Sequence, residues 1–127
     1  MSIARDTTAS NIKPLNGAIV RRFTAGDAVA AGEVVGMSSD GYIDPTDCTS
    51  AADEAIGIAI QAASAAGEVI DVVTHGPVKC LTGATPGATV FTSTTAGEPT
   101  ETDSGNVTAV GWAESSTVLY VLPEHLA

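Results

Sequence analysis

Glycine turns followed by β-branched residues recur along this chain, and they constrain its fold more than any other feature. Glycine supplies the positive φ that such turns often need, and the valine or isoleucine that follows fits the half-buried surface of a sheet. Short runs of this kind at close spacing are typical of all-β sandwiches and barrels. The repeated pattern occurs in residues 24–29, 30–35, 65–70 and 85–90.

The sequence therefore predicts an all-β fold, a small barrel or sandwich of short strands. The polar segment 92–106 is predicted to form a long hairpin loop. A short helix is an alternative prediction for the alanine-rich residues 50–55 or 61–66, because alanine favours helix. Gly57 and Gly67 bound these two stretches. Candidate strands lie at residues 18–23, 33–38, 56–61, 68–74, 78–81, 89–93, 107–113 and 118–122.

Charge divides the chain into two unlike parts. Residues 1–22 carry four cations and one acid, for a net charge of +3. The remaining 105 residues carry one lysine, Lys79, and fourteen acids, for a net charge of −13. Nucleic-acid recognition depends on lysine and arginine that neutralise phosphates, so we expect no nucleic-acid partner. A strongly acidic body also favours solubility at high local concentration.

Residues 1–16 are polar and basic and end next to a turn signal, Lys13-Pro14-Leu15-Asn16-Gly17. The sequence predicts that they form an extended N-terminal arm and that residues 17–127 form a single β domain. Two alternatives are equally favoured for such an arm, a frayed terminus and a segment that docks to a partner.

The sequence offers few groups for catalysis. His75 precedes Gly76-Pro77 and is predicted to lie at a turn, and His125 lies close to the C-terminus. No nucleophile elbow, dinucleotide fingerprint or phosphate-binding glycine loop is present. We therefore expect no enzymatic activity, no cofactor and no small-molecule substrate. A structural Lys79 is favoured over a carrier lysine, because Val78-Lys79-Cys80 lacks the flanking methionines and the acid-lysine pattern of carrier domains, and Pro77 precedes it.

Metal and membrane sites are not indicated either. Cys48 and Cys80 form no CxxC pair and lie near no histidine at metal spacing, so two buried or free thiols are expected. The acidic residues between 40 and 54 do not match an EF-hand loop and favour a solvated surface over a calcium site. The chain has neither a long apolar run nor a secretory signal, so we expect synthesis and folding in a cytosol and no membrane partner.

Residues 18–122 carry a series of short motifs in an order that resembles the small capsid decoration, or cement, proteins of tailed bacteriophages. Upstream, residues 28–36 resemble the early hairpin of that family. The motifs are Ile56-Gly57-Ile58-Ala59, Ala66-Gly67-Glu68-Val69-Ile70-Asp71-Val72, His75-Gly76-Pro77-Val78, Gly87-Ala88-Thr89-Val90-Phe91, Val110-Gly111-Trp112-Ala113 and Val118-Leu119-Tyr120-Val121.

The resemblance implies a barrel-like all-β body that assembles as a homotrimer on the outer surface of the virion capsid. There it would bind the major capsid protein and stabilise the expanded shell, without metal, cofactor or catalytic residues. The basic arm departs from the shorter termini of simple members of the family.

Two sets of residues are predicted to carry these contacts. The capsid-binding arm residues are Arg5, Lys13, Arg21 and Arg22, and deletion of residues 1–16 is expected to abolish capsid binding while the body stays folded. The trimer contacts, for which a core role is equally open, are Ile58, Ile60, Val90, Phe91, Trp112 and Tyr120. The alternatives are a β subunit of a virion tail, fibre or other appendage, an adhesive surface module, and a small enzyme or carrier domain.

Overall fold

A computed structural model describes residues 3–47, 54–102 and 109–123 of the chain. In these residues the backbone is nearly all β, with a single 3-10 turn at Ala9–Asn11 and no α-helix. Antiparallel strands form a curled half-barrel sheet, so the predicted all-β class is confirmed. No helix in these ranges is long and apolar enough to cross a membrane.

The strands in the described ranges are numbered in chain order. They are β1 Ala4–Arg5, β2 Lys13–Pro14, β3 Ile19–Thr24, β4 Val34–Met37, β5 Ile43–Pro45, β6 Ala55–Ala59, β7 Val69–Lys79, β8 Leu81–Thr82, β9 Thr89–Thr92, β10 Pro99–Thr100, β11 Ala109–Ala113 and β12 Val118–Val121.

Strand β7, eleven residues long, holds the two halves of the main sheet together. Its first half pairs with β6 through Val72 and Val73, and its second half pairs with β12 from Gly76 to Lys79. The main path of the sheet runs β10-β9-β11-β12-β7-β6-β4-β5. β7 therefore changes neighbours midway along its length.

Gly76 and Pro77 allow β7 to continue through this change of neighbours. Gly76 adopts φ +102, and a Cβ at this position would lie 2.8 Å from the Cα of Ala18. The carbonyl oxygen of Pro77 accepts the N–H of Leu15 at 3.0 Å. The N–H that proline lacks would point to the same edge. Residues 15–18 make a turn there, in which the carbonyl oxygen of Leu15 accepts the N–H of Ala18 at 3.1 Å instead of needing a donor from β7.

The N-terminal residues run antiparallel along β7 and β8. β1 pairs with β8, β2 pairs with the end of β7, and β3 pairs with its first half. Between β1 and β2 the N–H of Asp6 donates to the carbonyl oxygen of Cys80 at 2.9 Å. Residues 4–24 thus follow residues 82–69 in reverse, interrupted by turns at 7–12 and 15–18. We call residues 4–24 and 69–82 together the N-terminal ribbon.

The segment that the sequence predicts as an arm is packed on the sheet over its described residues, 3–16. Ile12 is buried in the larger hydrophobic cluster, and Ile3 packs against the same cluster. Burial of an isoleucine side chain stabilises a fold by about 1.5–3 kcal/mol. The domain boundary at residue 17 stays a prediction, but residues 3–16 contribute both pairing and core contacts.

Two hydrophobic clusters lie on opposite faces of β4, β6 and β7. Val34 and Val73 belong to the larger cluster, whereas their chain neighbours Val35 and Val72 belong to the smaller one. Successive residues of a strand point to opposite faces, so these strands are buried on both sides. This part of the sheet is a middle layer between two cores, which explains why its strands show no apolar-polar alternation in the sequence.

Most of the predicted strands are present within one or two residues of their expected ends. The predicted strands 68–74 and 78–81 are the main error, because a single strand, β7, continues from the first range into the first two residues of the second. His75 therefore lies inside a strand and not at a turn. The physical reason is the positive φ of Gly76, which bends the strand without ending it.

The segments between the predicted strands differ from expectation in two places. Strand β10 lies within the predicted loop 92–106, where it pairs with β9. Residues 61–66 form bends and a β-bridge at Ala63 instead of a helix. Residues 50–53, 103–106 and 107–108, on which further predictions fall, lie outside the described ranges.

The close approach of Gly76 to Ala18 predicts a large effect of a small substitution. We expect Gly76→Ala to lower the free energy of unfolding by about 1–3 kcal/mol more than Gly41→Ala does. Gly41 also has a positive φ, +86, but nothing lies within 4 Å of a Cβ there, so it controls for backbone strain alone. Urea denaturation of the two variants measures the difference, and equal destabilisation would contradict the proposed packing of residues 15–18 on β7.

Candidate functional site

All five lysines and arginines of the chain lie on the N-terminal ribbon. The ribbon also contains two acids, Asp6 and Asp71, and so has a net charge of +3. The rest of the chain contains the other thirteen acids and no lysine or arginine, a net charge of −13. The molecule therefore has one basic edge on an otherwise acidic body. The five cations are Arg5, Lys13, Arg21, Arg22 and Lys79.

Arg5 binds the ribbon to the rest of the domain. Its Nε–H donates to Oε2 of Glu98 at 2.7 Å, and its NH1 group donates to the carbonyl oxygen of Ala31 at 3.3 Å. The Arg5 side chain is 17% exposed and that of Glu98 31%. This charge is thus partly neutralised and shielded, so Arg5 acts within the domain more than at its surface.

Lys13 and Lys79 are direct cross-strand partners on β2 and β7. Like charges directly opposite each other destabilise a sheet. Val118 of β12 is the partner of Lys79 on its other edge and offers no counter-charge. The pair therefore costs stability locally and leaves two cations side by side on the ribbon.

Arg21 and Arg22 occupy the exposed part of β3. Arg21 lies over the ring of Phe23, with 5.3 Å between its Cζ and the ring centroid. Nε of Arg22 lies 3.3 Å from Oδ1 of Asp71, and the Arg22 side chain is 73% exposed. Ion pairs this exposed contribute only about 0–1 kcal/mol, so Arg22 can exchange Asp71 for a partner's carboxylate at little cost.

A strip of aromatic side chains crosses the outer face of the sheet near the basic edge. Trp112 of β11 stacks on Tyr120 of β12, with centroids 5.2 Å apart, and His75 of β7 meets Tyr120 edge-on at 5.5 Å. The neighbouring strand β3 places Ile19 opposite His75. Trp112 is 41% exposed and Ile19 53%. We call the three rings of His75, Trp112 and Tyr120, together with the adjoining Ile19, the aromatic strip.

The six predicted trimer contacts separate into three groups. Ile58 and Val90 are 1% and 0% exposed, so they are core residues and the prediction that they contact another copy is corrected. Ile60 and Phe91 are partly buried, and Ile60 packs against the larger cluster. Trp112 and Tyr120 remain available on the outer face, Trp112 as the more exposed of the two. Whether they join copies stays a prediction.

Two members of these surfaces were missed by the sequence predictions. His75 and Lys79 were assigned to a turn and to a structural role, yet both lie on β7 beside Tyr120 and Lys13 respectively. The available signal was their spacing, because residues four apart in one strand point to the same face. The sequence prediction missed this spacing because it assigned Gly76-Pro77, which lies between the two residues, to a turn.

The described acids of the stretch between residues 40 and 54 include two that make local hydrogen bonds. Asp44 accepts a hydrogen bond from the Ser38 hydroxyl at 2.7 Å, and Asp40 accepts the N–H of Tyr42 at 2.9 Å. Among the described residues, no three His, Cys, Asp or Glu side chains form a group that could hold a metal ion. Asp53 and His125 lie outside these ranges.

Cys80 is a free, fully buried thiol beside the N-terminal ribbon. Burial, and secondly the negative charge of Asp6, raise the pKa of the Cys80 thiol far above its ordinary value. The thiolate is the reactive form, so this cysteine is chemically inert in the folded protein. Cys48 lies outside the described residues.

In a Cys48→Ser background, where Cys80 is the remaining thiol, we expect labelling by an aromatic disulfide reagent at pH 8 to require unfolding. The labelling rate should therefore rise by orders of magnitude in denaturing urea. Absorbance of the released thiolate measures the rate. Fast labelling of the native protein would show that residues 4–6 do not stay paired over Cys80.

In comparisons of this chain with protein-family models, with curated proteins and with solved structures, no significant match was found.

Proposed function

We propose that this protein is a phage capsid decoration protein. It binds the outside of the expanded head and stabilises the lattice of the major capsid protein, without catalysis. The observation that carries the proposal is the basic edge: all the cations of an acidic protein lie on one paired ribbon. The order of motifs over residues 18–122, which resembles that family, supplies the identity of the partner.

The ribbon is suited to binding a protein surface because its cations are held on strands. Charges on a rigid element lose little conformational freedom on binding, which favours affinity. Lys13, Arg21 and Arg22 lie at exposed positions along one edge. Acidic groups of the major capsid protein placed along this edge would meet its cations, while the acidic body repels nucleic acid.

Stabilisation of the shell then follows from mass action. A ligand that binds only the assembled lattice raises the cost of opening it. In a homotrimer three copies of the edge act together, so weak individual contacts give strong attachment. We propose that Trp112 and Tyr120 of the aromatic strip contact the neighbouring copy, and that the assembled protein lies on the outer surface of the virion after synthesis in the host cytoplasm.

Binding to undecorated, expanded capsids tests this proposal. We expect saturating occupancy by hundreds of copies per particle, and loss of about tenfold or more in affinity for Arg21→Gln combined with Arg22→Gln, because two rim charges are removed. Affinity should also fall with added salt. Cosedimentation, with imaging of the particles and native mass spectrometry of the free protein, measures occupancy, affinity and copy number.

The matched control changes the net charge equally without altering a residue of the ribbon. Thr94→Glu combined with Ala96→Glu adds two negative charges at exposed positions outside the ribbon and should bind like the wild type. An equal loss of affinity for both double variants would show that net charge, and not the basic edge, determines binding. Absence of binding would reject the decoration role, and a few copies per particle would indicate an appendage subunit.

Charge substitutions are preferable to deletion of residues 1–16 in this experiment. That deletion would also remove Ile12 from the core and β1 and β2 from the sheet. The expectation that the body stays folded without these residues does not fit these contacts. Loss of binding after deletion would therefore not separate docking from folding.

A further inference from the structure

The outer edge of β3 is open in the described structure. β3 pairs with β7 along one edge, and no strand in residues 3–47, 54–102 or 109–123 pairs with its other edge. Just past the end of β3, Ala25 forms a parallel bridge to Ile43 of β5. The bridge lies beyond β3 and leaves the edge of β3 itself unpaired. Unpaired N–H and C=O groups along a strand edge are a template for another strand.

The side chains along this edge are exposed on both faces. Ile19, Val20, Arg21 and Arg22 are consecutive and all exposed. Successive residues of a strand point to opposite faces, so Arg21 and Arg22 place one guanidinium on each side of the ribbon. An added strand would therefore meet a cation on either face and an apolar residue beside each cation.

We propose that the outer edge of β3 binds an extended, acidic segment of a partner protein as an added β-strand. Backbone hydrogen bonds supply affinity in this mode, and side chains of the edge strand select the sequence. Here the selecting side chains are Arg21 and Arg22, which fit adjacent acidic residues in the segment. The inference rests on the proposed function only in naming the major capsid protein as the partner that carries the segment.

A second copy of β3 is excluded as the occupant by charge. Antiparallel pairing of two β3 edges would bring four arginines to one seam, and like charges across strands are destabilising. A polyanion without a peptide backbone would use the arginines but leave the edge groups unpaired. An acidic peptide segment satisfies both the edge groups and the charges.

Short blocked peptides and the intact, 15N-labelled protein test the inference. The probe peptide has two adjacent glutamates flanked by valine and threonine, so that one carboxylate lies on each face. We expect amide shift changes centred on residues 19–23 and slower hydrogen exchange there on titration. Replacing both glutamates by glutamine should weaken binding by about tenfold, because two cross-strand charge pairs are lost.

Two controls separate strand addition from simple charge attraction. A peptide with alternate backbone nitrogens methylated keeps both carboxylates but cannot pair, and it should not bind. Arg21→Gln with Arg22→Gln should weaken binding of the unmodified peptide about as much as the glutamine peptide does, whereas Lys13→Gln, on β2, should have little effect.

Three results would overturn the inference. These are unchanged binding of the methylated peptide, shift changes centred on His75, Trp112 and Tyr120, and no shift change at millimolar peptide. The outcome is independent of the capsid experiment. Peptide binding without capsid binding would reject the decoration role and keep the edge site. Capsid binding without peptide binding would keep the decoration role and reject the edge site.

Discussion

The antiparallel pairing of residues 4–24 with residues 82–69 is the interaction on which the rest of the structure depends. It places β2 and β3 along the two halves of β7, the strand that joins the two halves of the sheet. Gly76 makes this possible, because its positive φ bends β7 and its missing side chain admits the turn at residues 15–18. Loss of this pairing would remove Ile12 from the core and expose the buried thiol of Cys80.

The same pairing determines where the charges lie. Segregation of cations in a sequence says nothing about their arrangement in space, but here the paired strands place all of them along one edge. Arg5 is used within the domain, where it binds Glu98. Lys13 faces Lys79, and the exposed arginines of β3 have weak internal partners, so these charges remain available to another molecule.

The sequence predicts the local elements better than their long-range partners. Glycine turns before β-branched residues locate β3, β4 and β9, and short apolar runs locate β6 and β12, because each signal depends on neighbours in the chain. The two-residue strands β1 and β2 have no local signature, since their partners lie more than 60 residues away. Gly76-Pro77 predicts a turn where the strand continues, and Ile58 could not be assigned to core or surface because β6, like other strands buried on both faces, lacks alternation. Of the candidate site, the four N-terminal cations were predicted from the sequence. The pairing of Lys13 with Lys79 and the open edge of β3 can be seen only in the folded structure.

Residue-resolved hydrogen exchange of the free protein tests the central claim most directly, namely that the N-terminal residues are part of the sheet. The amides of Asp6 and Leu15 donate to the carbonyl oxygens of Cys80 and Pro77, at 2.9 and 3.0 Å. We predict that both are protected to nearly the same degree as the paired amides of β7, because they open only when the ribbon opens. Exchange of Asp6 and Leu15 at the rate of an unfolded peptide, with β7 still protected, would contradict the account.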